Sequence, residues 1–224
     1  LGLPVVADLP GVGSNLQDHL KLSTRWNGKT TLPPSPVTAG MFVRSQPWGI
    51  NPVPSPDLQF YIGRGLDQPD RFVTITVSLV RPRSRGDVRL QSSAPLAPPV
   101  IRGNYLLEGS DVAALVEGVR LSRALGSAAP YDRLRADEVE PSRGVNNSDA
   151  IAAFVRRAAD TIYHPAGTSR MGTGPDAVVD AQLRVIGLRG LRVADASIMP
   201  DVVNAATHAA CVMIGDRVAD FILR

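Results

Sequence analysis

A single cysteine, Cys211, stands among 224 residues. It excludes an internal disulfide and fits a reducing, cytoplasmic compartment. No charge-free apolar run reaches the roughly eighteen residues that a membrane span needs, so none is expected. Histidines number only three, and with one cysteine they offer no metal-ligand spacing. A metal centre is therefore not expected. Charge is nearly balanced, 24 basic against 21 acidic residues, and no basic block carries interleaved aromatics, which argues against a nucleic-acid partner. The Gly-x-Ser-x-Gly elbow of a serine hydrolase is missing. A signal peptide and an initiator Met are missing too, and the chain opens at Leu1-Gly2-Leu3 in mid-phrase, so it reads as a fragment. Finally, Gly11-Val12-Gly13 after Val5-Val6 only imitates a dinucleotide loop. Its third glycine is lacking, Pro10 interrupts the strand-to-turn join, and no acid follows about twenty residues on. A tight glycine turn leading into a capped short segment is expected there.

What is present is enough for a core. With 44% hydrophobic residues the chain can bury one or two domains. Twenty glycines and nineteen prolines point to many loops and a mixed α and β architecture. Proline clusters at Thr30–Pro36 and Asn51–Pro56 make Lys21–Pro56 loop-rich, with a short strand at Ala39–Arg44. From Asp57 the period becomes two. Leu58–Ile62 and Phe72–Val80 read as strands, Asp87–Gln91 is expected to pair with the latter through a Ser84-Arg85-Gly86 turn, and Val100–Arg102 adds another strand. Helical spacing follows at Glu108–Leu125, stopped by Gly126. A second helix is expected over Ala150–Thr161, capped within Asn147-Ser148-Asp149. Leu191–Asp195 reads as a short buried strand, and Asn204–Thr207 opens a last helix running to Leu223. The fold class is α+β, an antiparallel sheet backed by helices.

The chemistry concentrates in the last quarter. In Tyr163-His164-Pro165-Ala166-Gly167, proline and glycine forbid a helix, so His164 is presented from a loop. On the histidine alone, a satisfied buried residue is the simpler reading. Its surroundings carry the functional one, because the strand end at Asp195-Ala196-Ser197 and the start of the last helix can surround one ligand. A helix N-terminus offers free N–H groups and partial positive charge to an anion or carbonyl oxygen. His19 closes a turn motif and reads as structural.

Four blocks taken together resemble the C-terminal part of the glucose-methanol-choline family of flavin oxidoreductases, choline oxidase and choline dehydrogenase among them. They are Leu9-Pro10-Gly11-Val12-Gly13-x-Asn15-Leu16-Gln17-Asp18-His19; Ser84-Arg85-Gly86 with Pro99-x-Ile101-x-x-Asn104-Tyr105; His164-x-x-Gly167-Thr168-x-x-Met171-Gly172 with Val178-Val179-Asp180; and Gly190–Ser197 with Pro200 and Met213-Ile214-Gly215. The resemblance implies three parts. Residues 1–25 would be a remnant of the FAD-binding domain, 26–160 the substrate-binding domain, and 161–224 the segment with the active-site histidine that completes an FAD-binding α/β domain. It also implies FAD as cofactor, a small-molecule alcohol as substrate, oxygen or another carrier as electron acceptor, and the missing N-terminal half of the parent chain as partner. The histidine matching His164 takes the hydroxyl proton while a hydride passes to flavin N5. Asp195 and Ala196, with Ala206 and Thr207 at the helix start, match cofactor-contacting positions. A neutral imidazole suits the first role because it can accept a proton near pH 7.

One position departs from the family. Relatives place a second His or Asn nine residues beyond the serine matching Ser197, and Ala206 occupies that place here. His208 is retained as the second candidate catalytic residue, although residues two apart on a helix point about 200° from each other, a bar that applies equally to Asn204. Two other readings stand beside this one, the first of them left open by Ala206. One is a hydroxynitrile-lyase-like enzyme with a structural flavin, and the other is a truncated non-catalytic domain.

Overall fold

A computed structural model describes residues 1–2, 4–29, 37–46, 55–64 and 71–223. The first proline cluster and residues 51–54 of the second lie outside the described residues. The chain divides into two compact units. One comprises His19–Arg83 and Glu108–Ile162, and the other comprises Leu1–Asp18, Ser84–Leu107 and Tyr163–Arg224.

The first unit is built on an antiparallel sheet. Its strands are β1 (Leu20–Gly28), β2 (Val37–Val43), β3 (Leu58–Arg64), β4 (Phe72–Leu79) and, later in the chain, the strand Arg135–Glu140. β4 is central, paired with β3 from Leu58↔Leu79 to Arg64↔Val73 and with β1 from Leu20↔Leu79 to Asn27↔Phe72. β1 was expected to be loop. Its own alternation decides otherwise, since Leu20, Leu22, Thr24 and Trp26 are buried while Lys21, Ser23, Arg25 and Asn27 are half-buried.

The expected hairpin of Phe72–Val80 with Asp87–Gln91 does not form. Both edges of β4 are occupied by β1 and β3, so no hydrogen-bonding edge is left for a third partner. Past β4, the backbone N–H of Arg83 donates to the buried Asp111 carboxylate at 2.8 Å. β5 (Asp87–Arg89) instead pairs with β6 (Val100–Arg102), Asp87↔Arg102 to Arg89↔Val100, in a separate two-stranded sheet. The sheet of the first unit therefore excludes residues 87–102.

Helix α1 (Gly109–Gly126) lies on β4, burying Val112, Leu115, Val116 and Val119. The sheet's later strand, Arg135–Glu140, is β7; it precedes α2 (Ser148–Ala158), and β8 (Asp160–Thr161) closes beside β1. The Asn147 side chain caps α2 by accepting the Ala150 N–H at 2.8 Å, and the buried stripe Ile151, Phe154 and Val155 meets α1.

Gly126 ends α1 where a Cβ would stand 2.3 Å from the ring of Trp26, itself only 3% exposed. Gly126→Ala should gain about 1 kcal/mol of helix propensity against about 1–3 kcal/mol of overpacking. Clash wins when the ring cannot move. A lowered thermal midpoint is expected, and an unchanged or raised one would show that Trp26 yields.

The second unit packs Ala166, Val178, Val179, Leu183, Val185, Ile198, Met199 and Val202 around Ile214 of α3 (His208–Leu223). The segment Leu191–Asp195, expected as a buried strand, forms only an isolated bridge, Arg184↔Arg192, and Leu191 is half exposed. Alternating Leu191 and Val193 with Arg192 and Ala194 leaves too few apolar side chains to bury both faces. The glycine turn at Leu9–Ser14 is present, with Val12 N–H on the Leu9 carbonyl at 3.0 Å and Ser14 N–H on the Gly11 carbonyl at 3.0 Å. No helix among the described residues is long and apolar enough to cross a membrane.

Candidate functional site

The arrangement around His164 is built upward from the segment Asn15–Asp18. Gln17 and Ala166 exchange backbone hydrogen bonds at 3.0 and 2.9 Å, which sets the Tyr163–Gly167 loop alongside that segment. Tyr163 takes a left-handed φ of 65° and Pro165 has no N–H to offer, so the chain cannot continue as helix or ladder. The loop expected from Pro-Ala-Gly is the observed geometry.

Asp18 fastens this loop from beneath. The residue is 4% exposed; its carboxylate Oδ1 accepts the backbone N–H of His164 at 3.0 Å, and Oδ2 accepts the Tyr105 hydroxyl at 2.7 Å. Charge-assisted bonds of this kind are stronger than neutral ones, and in a buried place they fix the backbone from which the imidazole projects. Burial lowers the His164 pKa from the ordinary 6.5, and the Asp18 charge opposes part of that shift. Burial prevails, so the neutral, proton-accepting imidazole is favoured near pH 7.

Gly167 is held by two constraints. Its φ is +93°, and a Cβ there would stand 2.4 Å from the Asn15 carbonyl oxygen. Beyond it the loop runs along the three-ten turn Ala196–Ile198. Gly167, Ser169 and Met171 donate to the carbonyls of Ala196, Ser197 and Ile198 at 3.2, 2.8 and 2.7 Å. Asp195 orders that turn by accepting the Ser197 N–H at 2.7 Å. His164 and the Asp195–Ala196 turn are thus joined through one hydrogen-bonded strip.

The approach to α3 is tied to the same segment. The Gln17 side chain, 2% exposed, donates through Nε2 to the Pro200 carbonyl at 2.9 Å and accepts the Val202 N–H at 3.1 Å. Asn15 Nδ2 bonds the carbonyls of Gly167 and Pro200 at 3.2 and 3.1 Å. Helix α3 then begins at His208, later than expected, with the buried Thr207 accepting the Cys211 N–H through its carbonyl at 3.0 Å. Asn204 and Ala206 precede the helix, so the helical 200° argument against substitution for Ala206 does not apply to them. Ala206 and His208 are both exposed, and among the described residues no hydrogen bond joins His208 to the network of His164. Sequence reasoning assigned no role to Asn15, Gln17, Asp18 or Tyr105. For Asn15, Gln17 and Asp18 the signal was a run of amide and acid side chains directly before a buried strand, where unpaired polar groups are costly; Tyr105 lies 87 residues away from Asp18. Among the described residues no group of three His, Cys, Asp or Glu could hold a metal ion.

Comparison with known proteins shows the family. The family model described as GMC oxidoreductase matches residues 82–215. Mitochondrial choline dehydrogenase of Mus musculus is 37% identical over 99% of this chain and 42% of its own length. Alcohol dehydrogenase [acceptor] of Pseudomonas putida is 34% identical over 100% of this chain and 46% of its own. Among solved structures, pyridoxine 4-oxidase from Mesorbium loti superposes with a TM-score of 0.87 at 29% identity, over 98% of this chain and 45% of that one. A formate oxidase from Aspergillus oryzae, 24% identical with a TM-score of 0.85 over 99% of this chain and 48% of that one, adds support for the fold alone. The chain spans a little under half the length of the curated relatives it matches, its mixed helix and antiparallel-sheet fold is that of the solved structures above, and it belongs to the GMC oxidoreductase family.

Proposed function

We propose that this chain forms the substrate-side and active-site portion of an FAD-dependent oxidoreductase that converts an alcohol to an aldehyde or ketone, with His164 as the base that takes the hydroxyl proton. The observation that carries the proposal is the placement of His164: a half-buried imidazole, its pKa lowered by burial, on a loop backbone that Asp18 pins by accepting the His164 N–H at 3.0 Å. The names of the relatives, choline dehydrogenase and alcohol dehydrogenase [acceptor], agree with that chemistry.

The residues near the start of α3 fit a flavin. By helix geometry the first-turn N–H groups have no intrahelical acceptor, and they lie at the positive end of a 16-residue helix. Ala196 and Ala206 add no bulk beyond a methyl group. Asp195 is exposed while its carboxylate orders the Ala196–Ile198 turn. The flavin, when bound, supplies the hydride acceptor. This chain would supply a base at His164, a rigid support for it and helix-terminal N–H groups suited to negative charge. Exposed apolar residues of α3, Val212, Met213, Ile222 and Leu223, support packing against the flavin-binding remainder of the protein. The electron acceptor is oxygen or another carrier.

The test is turnover of a panel of primary alcohols, choline included, by the full-length protein with a dye as acceptor, measured across pH. A base must be unprotonated to work, and its pKa lies below 6.5. The acid limb of kcat/KM should therefore have its midpoint below 6.5, with a plateau above it. No turnover of any alcohol, or a limb centred above that value, would contradict the proposal.

A further inference from the structure

We propose that Asp18 is a positioning residue for His164, serving as the buried counter-charge to the imidazolium formed when His164 takes a proton, with Tyr105 holding the carboxylate in place. The inference rests on the reading of His164 as base. Three observations carry it. Asp18 is 4% exposed and accepts the His164 backbone N–H at 3.0 Å, so a negative charge sits at the root of the side chain that would become positive. Its other oxygen accepts the Tyr105 hydroxyl at 2.7 Å, which directs the carboxylate and limits its rotation. Its charge also acts on the His164 ring, opposing the effect of burial.

Opposite charges in a partly desolvated site interact far more strongly than in water. A charge already present before the proton moves needs no reorganisation when it does. Asp18 thus makes the proton transfer more favourable without protonating His164 beforehand, because burial still dominates in the resting state.

Other charged and titratable groups lie on the segments bonded to the loop. Tyr163 adjoins His164 and points outward at 75% exposed. Asp195 is bonded to the Ser197 N–H. Arg170 pairs with Asp176 at 2.7 Å and Arg85 with Asp201 at 2.9 Å, so each of these cations has its own counter-ion. The Asp18 charge acts on His164 in the direction opposite to burial.

The experiment uses the full-length protein with 13C-labelled histidine, following the His164 titration by NMR in the parent, Asp18→Asn and Asp18→Glu. Asparagine retains an acceptor for the backbone bond but no charge. The His164 pKa should fall in Asp18→Asn and stay near the parent in Asp18→Glu. In Asp18→Asn, kcat should drop about tenfold, with KM little changed. A His164 pKa that is unmoved in folded Asp18→Asn overturns the proposal. If that variant fails to fold, Tyr105→Phe carries the same test. It removes the bond that holds the carboxylate in place, so the charge is less well directed at the imidazolium and the His164 pKa should fall; an unmoved titration again overturns the proposal. Failure of the underlying reading is separate: a His164→Gln protein with near-parent turnover would remove His164 as base while the titration still reported the action of Asp18.

Discussion

Replacing His164 by alanine in the full-length protein is expected to lower kcat for alcohol oxidation by about 10²–10⁴-fold, the usual worth of a positioned base. The loss should appear in kcat and in kcat/KM alike, because a proton taken only as the transition state forms contributes little to ground-state binding. The fold should survive. His164 is half-buried, and the bond that fastens its loop comes from its backbone N–H to Asp18, which alanine keeps. Activity and stability are therefore separable here. A variant that loses activity together with its thermal midpoint would point to a packing role, and one that retains turnover within about tenfold would remove His164 as the base.

Gly167→Ala is expected to produce the largest structural effect. The added Cβ would meet the Asn15 carbonyl oxygen at 2.4 Å and the side-chain nitrogens of Asn15 and Gln17 at 2.9 and 3.0 Å. The first of these is backbone and cannot swing away. Left-handed strain adds about 1–2 kcal/mol, and overpacking about 1–3 kcal/mol. A total near 3 kcal/mol corresponds to about 6–12 °C in thermal midpoint for a chain of this size. Gly190→Ala is the control. It shares a positive φ, +75°, but has no heavy atom within 4 Å of the added Cβ, so it should carry the strain without the clash and lose much less. Equal losses in the two variants would mean that the Asn15 contact does not constrain the loop.

The difference between what the sequence showed and what it concealed follows the range of the interactions. The two helices were legible because their cause is local: apolar residues at helical spacing and an Asn147 cap three residues from the N–H it accepts. The His164 loop was legible for the same reason, since proline and glycine act on the backbone beside them. β1 carried a visible alternation from Leu20 to Trp26, yet the nearby proline clusters obscured it. The expected β4–β5 hairpin failed for a non-local reason. Its turn chemistry was plausible, but β1 and β3 already filled both edges of β4, and strand competition is not written in any one segment. Asp18 was the least legible residue of the site. Its contact with His164 spans 146 residues of sequence, and that of Gln17 with Pro200 spans 183. Only the folded chain brings these groups together. Ala206 and His208 show the same limit. Placing the helix start four residues early put both on a helical wheel, whereas Ala206 precedes the helix and His208 begins it.

The central claim is that this chain presents a base to an alcohol whose hydride leaves for a flavin. Anaerobic mixing of the full-length protein with its best alcohol, followed by flavin absorbance, tests it most directly in the parent and in His164→Gln. The account predicts rapid bleaching in the parent, slowed by about a hundredfold or more in the variant. Flavin that is bound in both proteins but bleached in neither would contradict it and favour a lyase with a structural cofactor. Equal bleaching rates in the two would place the base elsewhere.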